Sequence, residues 1–186
     1  MYEYKVRMNS TNKFNGIQAR AFCMQYGLVV GLLTSASFLA TMYGLGAPSM
    51  GLLGNILGII AFYVAFRQIR AYRQEVGGLS FMQACYMAFL TLFFASLLTA
   101  VVQYLYLAFL DNGRLVSQVE QMLAMPEYEK WLGQMAGGMD VEEVKTAALG
   151  LLSNPAKTTL QLLWSDCLLS LILSIPIALL SMGGKK

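Results

Sequence analysis

The chain of 186 residues contains no histidine, which removes the commonest general base, the usual proton switch near neutral pH and the commonest metal ligand at once. Charge is scarce too: charged residues make up 12% of the sequence against 57% hydrophobic, too few to cover a water-facing surface. Cysteine is limited to Cys23, Cys85 and Cys167, each inside or at the start of an apolar stretch. They read as small buried hydrophobes, not as disulfide or zinc partners. Also missing are a phosphate-cradling glycine loop followed by lysine, HExxH, GxSxG, and paired acids on a helix that could bear a site. The common enzyme classes are thereby left without their reacting groups. The net charge of +3 is too small to point to nucleic acid. No enzyme activity, catalytic residue, metal site or cofactor is expected.

What the chain has instead is long apolar sequence. The runs 21–44, 50–66, 81–110 and 160–180 hold between them one side chain that is charged at neutral pH, Asp166. About 20 apolar residues in a helix cross the hydrocarbon of a bilayer. The expected fold class is therefore all-α: a polytopic membrane protein with four transmembrane helices in an antiparallel bundle, forming a single membrane domain over residues 1–186. The spans are expected at about 21–44, 50–67, 80–110 and 158–180, with a small helical extracytoplasmic segment at 111–157. Ser35-Ala36-Ser37 has the small residues of a signal-peptidase site. The preceding basic region is long, however, and the run continues past that site to Tyr43 at the expected interface, so a retained first span is expected.

The basic residues set an orientation. Lys5, Arg7, Lys13 and Arg20 precede the first run, Arg67, Arg70 and Arg73 follow the second, and Lys185 and Lys186 end the chain. The segment between the third and fourth runs carries Arg114, Lys130, Lys145 and Lys157, outnumbered by Asp111, Glu120, Glu127, Glu129, Asp140, Glu142 and Glu143. By the positive-inside rule both termini face the cytoplasm. Arg67, Arg70 and Arg73 recur every third residue at the inner end of the second span, where they are expected to contact anionic lipid headgroups or a partner.

Local signals place the helix ends. Gly27 and Gly31 in the first span, and Gly51, Gly54 and Gly58 in the second, have the small-xxx-small spacing that lets backbones approach closely, here expected inside the monomer. The connection at residues 44–49 is short enough to force an antiparallel hairpin. Ser80 and Gln83 stand at capping-box spacing before the third span. In the outer segment, Leu115, Val116, Val119, Met122 and Leu123 recur at helical spacing, as do Tyr128, Trp131, Leu132 and Met135 after Pro126. A further helix is expected from Asp140, with Glu143 as box partner, to a break at Asn154-Pro155.

The arginine-bearing end of the second span is followed by Gly77-Gly78-Leu79-Ser80-Phe81-Met82-Gln83-Ala84, and a methionine- and glutamate-rich outer segment precedes a last span. This layout resembles the DUF4199 family of Bacteroidota membrane proteins. The resemblance covers nearly the whole chain, mostly by layout, and only the glycine, Ser-Phe and Gln-Ala positions are motif-like. It implies a four-helix protein of the bacterial inner membrane whose function is unknown, and it carries over no catalytic residue. It also implies an association with membrane glycosyltransferases that resemble polyprenyl-phosphate sugar synthases.

Asp166 is the residue that chemistry singles out. A carboxylate inside hydrocarbon costs roughly 2.5 to 3.5 kcal/mol to insert on translocon scales, so it is expected to face the bundle interior, paired or protonated. Helical rise puts Gln103, Asn55, Ser35 and Ser37 near its depth, giving one polar layer in the outer half of the membrane. That layer either locks helix register or binds a proton, ion or polar headgroup. Pro176, after Ser174, adds an expected kink nearer the cytoplasmic end. The function expected from all this is a non-catalytic accessory or scaffold subunit of a membrane complex, surrounded by lipid and partnered by a membrane protein such as a glycosyltransferase. The alternative is a small transporter or lipid-carrier-binding protein that uses the Asp166 layer.

Overall fold

A computed structural model describes residues 14–45, 47–135 and 140–182. Among them the expected N-terminal basic residues Lys5, Arg7 and Lys13 and the terminal Lys185 and Lys186 are not included; they lie outside the described residues, as does Gly46 of the hairpin turn. The described chain is helical throughout, in the order α1 (Gly16–Gly44), α2 (Pro48–Glu75), α3 (Phe81–Phe109), α4 (Arg114–Leu123), α5 (Pro126–Met135), α6 (Val141–Leu152) and α7 (Pro155–Met182). Four of these, α1, α2, α3 and α7, are long and apolar enough to cross a membrane. Packing concentrates in two compact units, Met1–Thr99 with Trp164–Lys186, and Ala100–Leu163.

Each helix end has a local cause. Asn15 accepts a hydrogen bond from Ile17 N at 3.0 Å and starts α1 five residues before the apolar run. Pro48 begins α2, where its missing N–H costs nothing. The α2 end is closed by Gly77 at φ 74°, with Gly78 N donating back to Arg73 O at 3.0 Å; a residue with a Cβ adopts that left-handed turn only with strain. The capping box forms as expected: Ser80 N donates to Gln83 Oε1 at 2.9 Å, and Gln83 N donates to Ser80 Oγ at 3.3 Å.

In the first unit the core is built from small residues. Val30 of α1, Ala61, Ala65 and Ile69 of α2, Ala88 and Ala95 of α3, and Ile177 of α7 form one buried cluster. A second joins Ala19 and Cys23 to Tyr72, Leu79 and Met87. On α1 the buried residues Ala19, Cys23, Gly27, Gly31 and Ser35 recur every fourth position, and on α3 Ala84, Ala88, Thr91, Ala95 and Thr99 make a matching stripe. A Cβ on Gly27 would sit 2.7 Å from Phe94 Cβ and 2.9 Å from Thr91 O, and one on Gly31 would sit 3.1 Å from Ala95 O. The glycines of both hairpin helices thus face inward: Gly44 is in backbone contact with Gly51, and Gly54 lies against Ser37 O and Thr41. α7 runs without interruption through Pro176, a residue that spanning helices tolerate.

The outward faces are as apolar as the core. Met24, Leu28 and Leu32 on α1, Leu52, Ile56 and Ile59 on α2, and Leu168, Ile172, Ile175 and Leu179 on α7 are all exposed. At most 39% of the most apolar window of any spanning helix is buried, an arrangement that water would penalise and hydrocarbon would not.

The second unit contains α4, α5 and α6, which pack on one another. Asn112 at φ 49° and Gly113 at φ 77° turn the chain after α3. The buried Asp111 carboxylate then receives Leu115 N, at 3.2 Å to one oxygen and 3.3 Å to the other. Pro126 starts α5, as expected. Asp140 caps α6 through Glu142 N at 3.1 Å, one position earlier than the box with Glu143 requires, and Glu142 instead pairs with Lys145 at 3.0 Å. Asn154 is both the break and the next cap: its Oδ1 accepts from Lys157 N at 3.1 Å, so α7 begins at Pro155 and not at Thr158.

Replacing Gly27 with Leu should lower the thermal unfolding midpoint in mild detergent strongly, because overpacked cores lose about 1–3 kcal/mol or more. Gly150→Ala, where the added Cβ meets nothing within 4 Å, should leave the midpoint unchanged or raise it, through a gain in stability of up to about 1 kcal/mol from helix propensity. Equal midpoints for the two variants would contradict the close α1–α3 approach.

Candidate functional site

Several polar groups within the spans join one helix to another, while Thr41, Ser96, Ser170, Ser174 and Ser181 donate to carbonyls of their own helix. Thr34 Oγ1 lies 2.6 Å from Thr99 Oγ1 and also reaches Gly31 O and Val30 O, tying α1 to α3. Cys23 Sγ donates to Met87 O at 3.5 Å between the same two helices, and Arg20 Nε donates to Tyr86 OH at 3.1 Å near their ends. Ser37 Oγ donates to Gly54 O at 2.7 Å, tying α1 to α2. Arg73 donates through a terminal guanidinium nitrogen to Ser181 O at 2.7 Å, tying α2 to the last turn of α7. That bond sets a cation on the negative end of a helix, where the exposed carbonyls need donors.

The expected polar layer is distributed differently. Ser35 and Ser37 stand two residues apart on α1, about 200° around the helix, so they serve opposite sides. Ser35 is buried on the stripe that faces α3 and its Oγ has no hydrogen-bond partner. Ser37 is turned to α2. Asn55, the neighbour of Gly54, departs from the layer: its side chain is exposed on the outer face of α2, because the inward positions there are taken by Gly54 and Gly58, packed on Ser37 and Thr41. Asp166 is half-buried on α7 in the first unit, with Ser170 Oγ donating to its carbonyl at 2.7 Å. Gln103 belongs to the second unit, where it is buried and its Oε1 has no hydrogen-bond partner.

The three arginines separate in the same way. Positions three apart on a helix rotate by about 60°, so Arg67 and Arg73 diverge by about 120°. Arg67 and Arg70 are exposed, as lipid or partner contacts would be, whereas Arg73 is half-buried and held by α7. The sequence reading also missed the Thr34–Thr99 pair and the buried Asp111. The four-residue recurrence of small residues on α3 carries a signal for the first, but it is hard to see in a segment where nearly every residue is apolar.

Two surface hollows lie in the second unit. One of about 430 Å³ is lined by Asn112, Arg114, Ser117 and Gln121, and one of about 300 Å³ by Glu127, Tyr128 and Trp131. Both are broad and shallow, unlike the enclosed apolar clefts that hold small ligands. Among the described residues no three His, Cys, Asp or Glu side chains cluster as metal ligands would.

Arg73→Ala should destabilise the protein by about 1.5–3 kcal/mol, the usual worth of a hydrogen bond to a charged group. Arg73→Lys should lose less, and Ser181→Ala should leave this bond in place, since the acceptor is a backbone carbonyl. Arg67→Ala, at an exposed position, should change the unfolding midpoint little. A loss at Arg67 as large as at Arg73 would contradict the α2–α7 tie.

Neither the curated proteins nor the solved structures contain a match to this chain. One family does match, described as "Protein of unknown function (DUF4199)", over residues 25–182. That stretch runs from α1 to the last turn of α7 and takes in every spanning helix and the α4–α6 segment; the chain belongs to the DUF4199 family.

Proposed function

We propose that this protein is a non-catalytic accessory or scaffold subunit of a complex in the bacterial inner membrane. The observation that carries this reading is where the polar side chains of the spans go. Thr34, Thr99, Ser37 and Arg73 bond from one helix to the next, which fixes helix register and presents rigid outer faces. A transport path or reaction centre needs such groups to converge on a shared cavity. The partner of this reading is an integral membrane enzyme, with a polyprenyl-phosphate glycosyltransferase as the first candidate.

The orientation proposed has both termini in the cytoplasm and α4–α6 on the outer side. It rests on the nine basic residues of the terminal segments and the α2–α3 link, against four in the outer segment, where seven acids accompany them. Reporter fusions at the C-terminus and within residues 136–139 should give opposite sidedness, cytoplasmic and external respectively. The reverse pattern would invert the topology.

A second reading, a carrier or transporter built on Asp166, is favoured by the buried Ser35 Oγ of the same unit, which lacks a hydrogen-bond partner. The two readings separate in one experiment. The tagged protein is purified in mild detergent from its native membrane, and what co-elutes is identified by mass spectrometry, for the natural sequence and for Asp166→Asn. The scaffold reading expects one membrane enzyme in stoichiometric amount with both. Recovery of the chain with bound lipid and no protein, and loss of that lipid with Asp166→Asn, would replace it with the carrier reading.

A further inference from the structure

Asn55 sits where a polar side chain is expensive. Gly54 packs on Ser37 and Thr41, which fixes Asn55 at the level of Ser37, six residues along α1 from the exposed Tyr43. At 1.5 Å per residue this is about 9 Å below that interfacial ring. The side chain is exposed and makes no hydrogen bond to the described chain. Gln25, also exposed, lies four residues inside its own apolar run and has one more methylene with which to reach the headgroups. Asn55 lies five residues inside its own run and is one methylene shorter than Gln25, so facing lipid it leaves a primary amide unsatisfied in hydrocarbon.

Its surroundings are those of a helix seam. Leu52, Asn55 and Ile59 follow a three–four spacing, and Leu52 and Ile59 are exposed at 63% and 70%, more than any other large apolar side chain of α2, while Phe62 at the next step is half-buried against the core. One asparagine in an otherwise apolar three–four seam is the device that sets register and copy number in paired helices. The seam is also rigid, because the Ser37–Gly54 bond at 2.7 Å holds its back to α1.

We propose that this face of α2 docks on the same face of a second copy of the chain, with the two Asn55 amides hydrogen-bonded to each other across a twofold axis. The chemistry of the amide selects this occupant. It carries a donor and an acceptor together, so any covering surface has to supply both. A second copy supplies both by symmetry, in a contact where each residue meets its own counterpart. Lipid chains or a purely apolar helix supply neither. The contact needs no other protein, so it stands or falls separately from the accessory-subunit reading.

The test uses the full chain, purified and reconstituted into phosphatidylcholine vesicles over a range of protein-to-lipid ratios, with association read by energy transfer between labelled copies. Wild type should form dimers. Asn55→Leu should weaken association tenfold or more, the scale of an interhelical amide bond in membranes, and Asn55→Gln should retain most of it. Helix content, and the unfolding midpoint measured in dilute detergent where the chain is monomeric, should be the same in all three, since Asn55 has no hydrogen bond within the monomer. A monomeric wild type, or an Asn55→Leu protein that associates as tightly as wild type, overturns the proposal. So does a different membrane protein that Asn55→Leu releases from the native complex while the reconstituted chain stays monomeric, which would assign the face to that protein.

Discussion

In hydrocarbon no water is available to a peptide group, so each backbone N–H and C=O of a spanning segment has to be satisfied within the protein. The long helices of this chain follow from that constraint, and so do the features at their ends. Asn15, the Ser80–Gln83 box and Asn154 each supply a side-chain acceptor or donor where the helical ladder runs out, and Arg73 does the same for α7 from another helix. With no hydrophobic effect to press helices together in lipid, association relies on close contact. The core is accordingly rich in alanine, glycine, serine and threonine around a few larger side chains such as Ile69, Met87 and Ile177, and many large side chains are on the outside.

That inversion gives polar residues a different value from the one they have in water. A hydroxyl that bonds across an interface, as at Thr34–Thr99 or Ser37–Gly54, contributes modestly to stability, on average about 0.6 kcal/mol in membranes. Its larger effect is on register, because a slip of one residue would leave it unsatisfied. The spans therefore form a rigid frame in which most polar groups have short-range duties. The exceptions stand out by contrast. Asn55 faces outward, and Ser35 Oγ, Tyr72 OH, Thr91 Oγ1, Gln103 Oε1 and Thr159 Oγ1 are buried without a hydrogen-bond partner. Groups of this kind are where a membrane protein meets something other than itself.

The spanning helices were legible in the sequence because the bilayer imposes one strong, length-dependent pattern on it. The caps at Ser80, Pro126 and Asp140 were legible because they rest on residues within a turn of one another. The starts of α1 and α7 lay five residues before the apolar runs, since Asn15 and Asn154 decide them and hydropathy does not. Which side of a helix each polar residue faces was not legible. In a segment where nearly every position is apolar, the helical period leaves no contrast between inside and outside, so depth could be counted and direction could not. Asn55, counted into one layer with Ser37, lies on the outer face of α2.

Composition and run length alone thus determined that the chain is all-α, with four helices long and apolar enough to span a membrane and a short helical segment between the third and fourth. The bilayer selects for hydrophobicity over a fixed thickness, and that quantity is additive along the chain. Only the tertiary structure decided that Gly27 and Gly31 meet α3, that Gly54 turns Asn55 outward, and that Arg73 leaves its neighbours to close α7. Those outcomes depend on which backbones approach within van der Waals contact, and that is set by all the helices together and by no single segment.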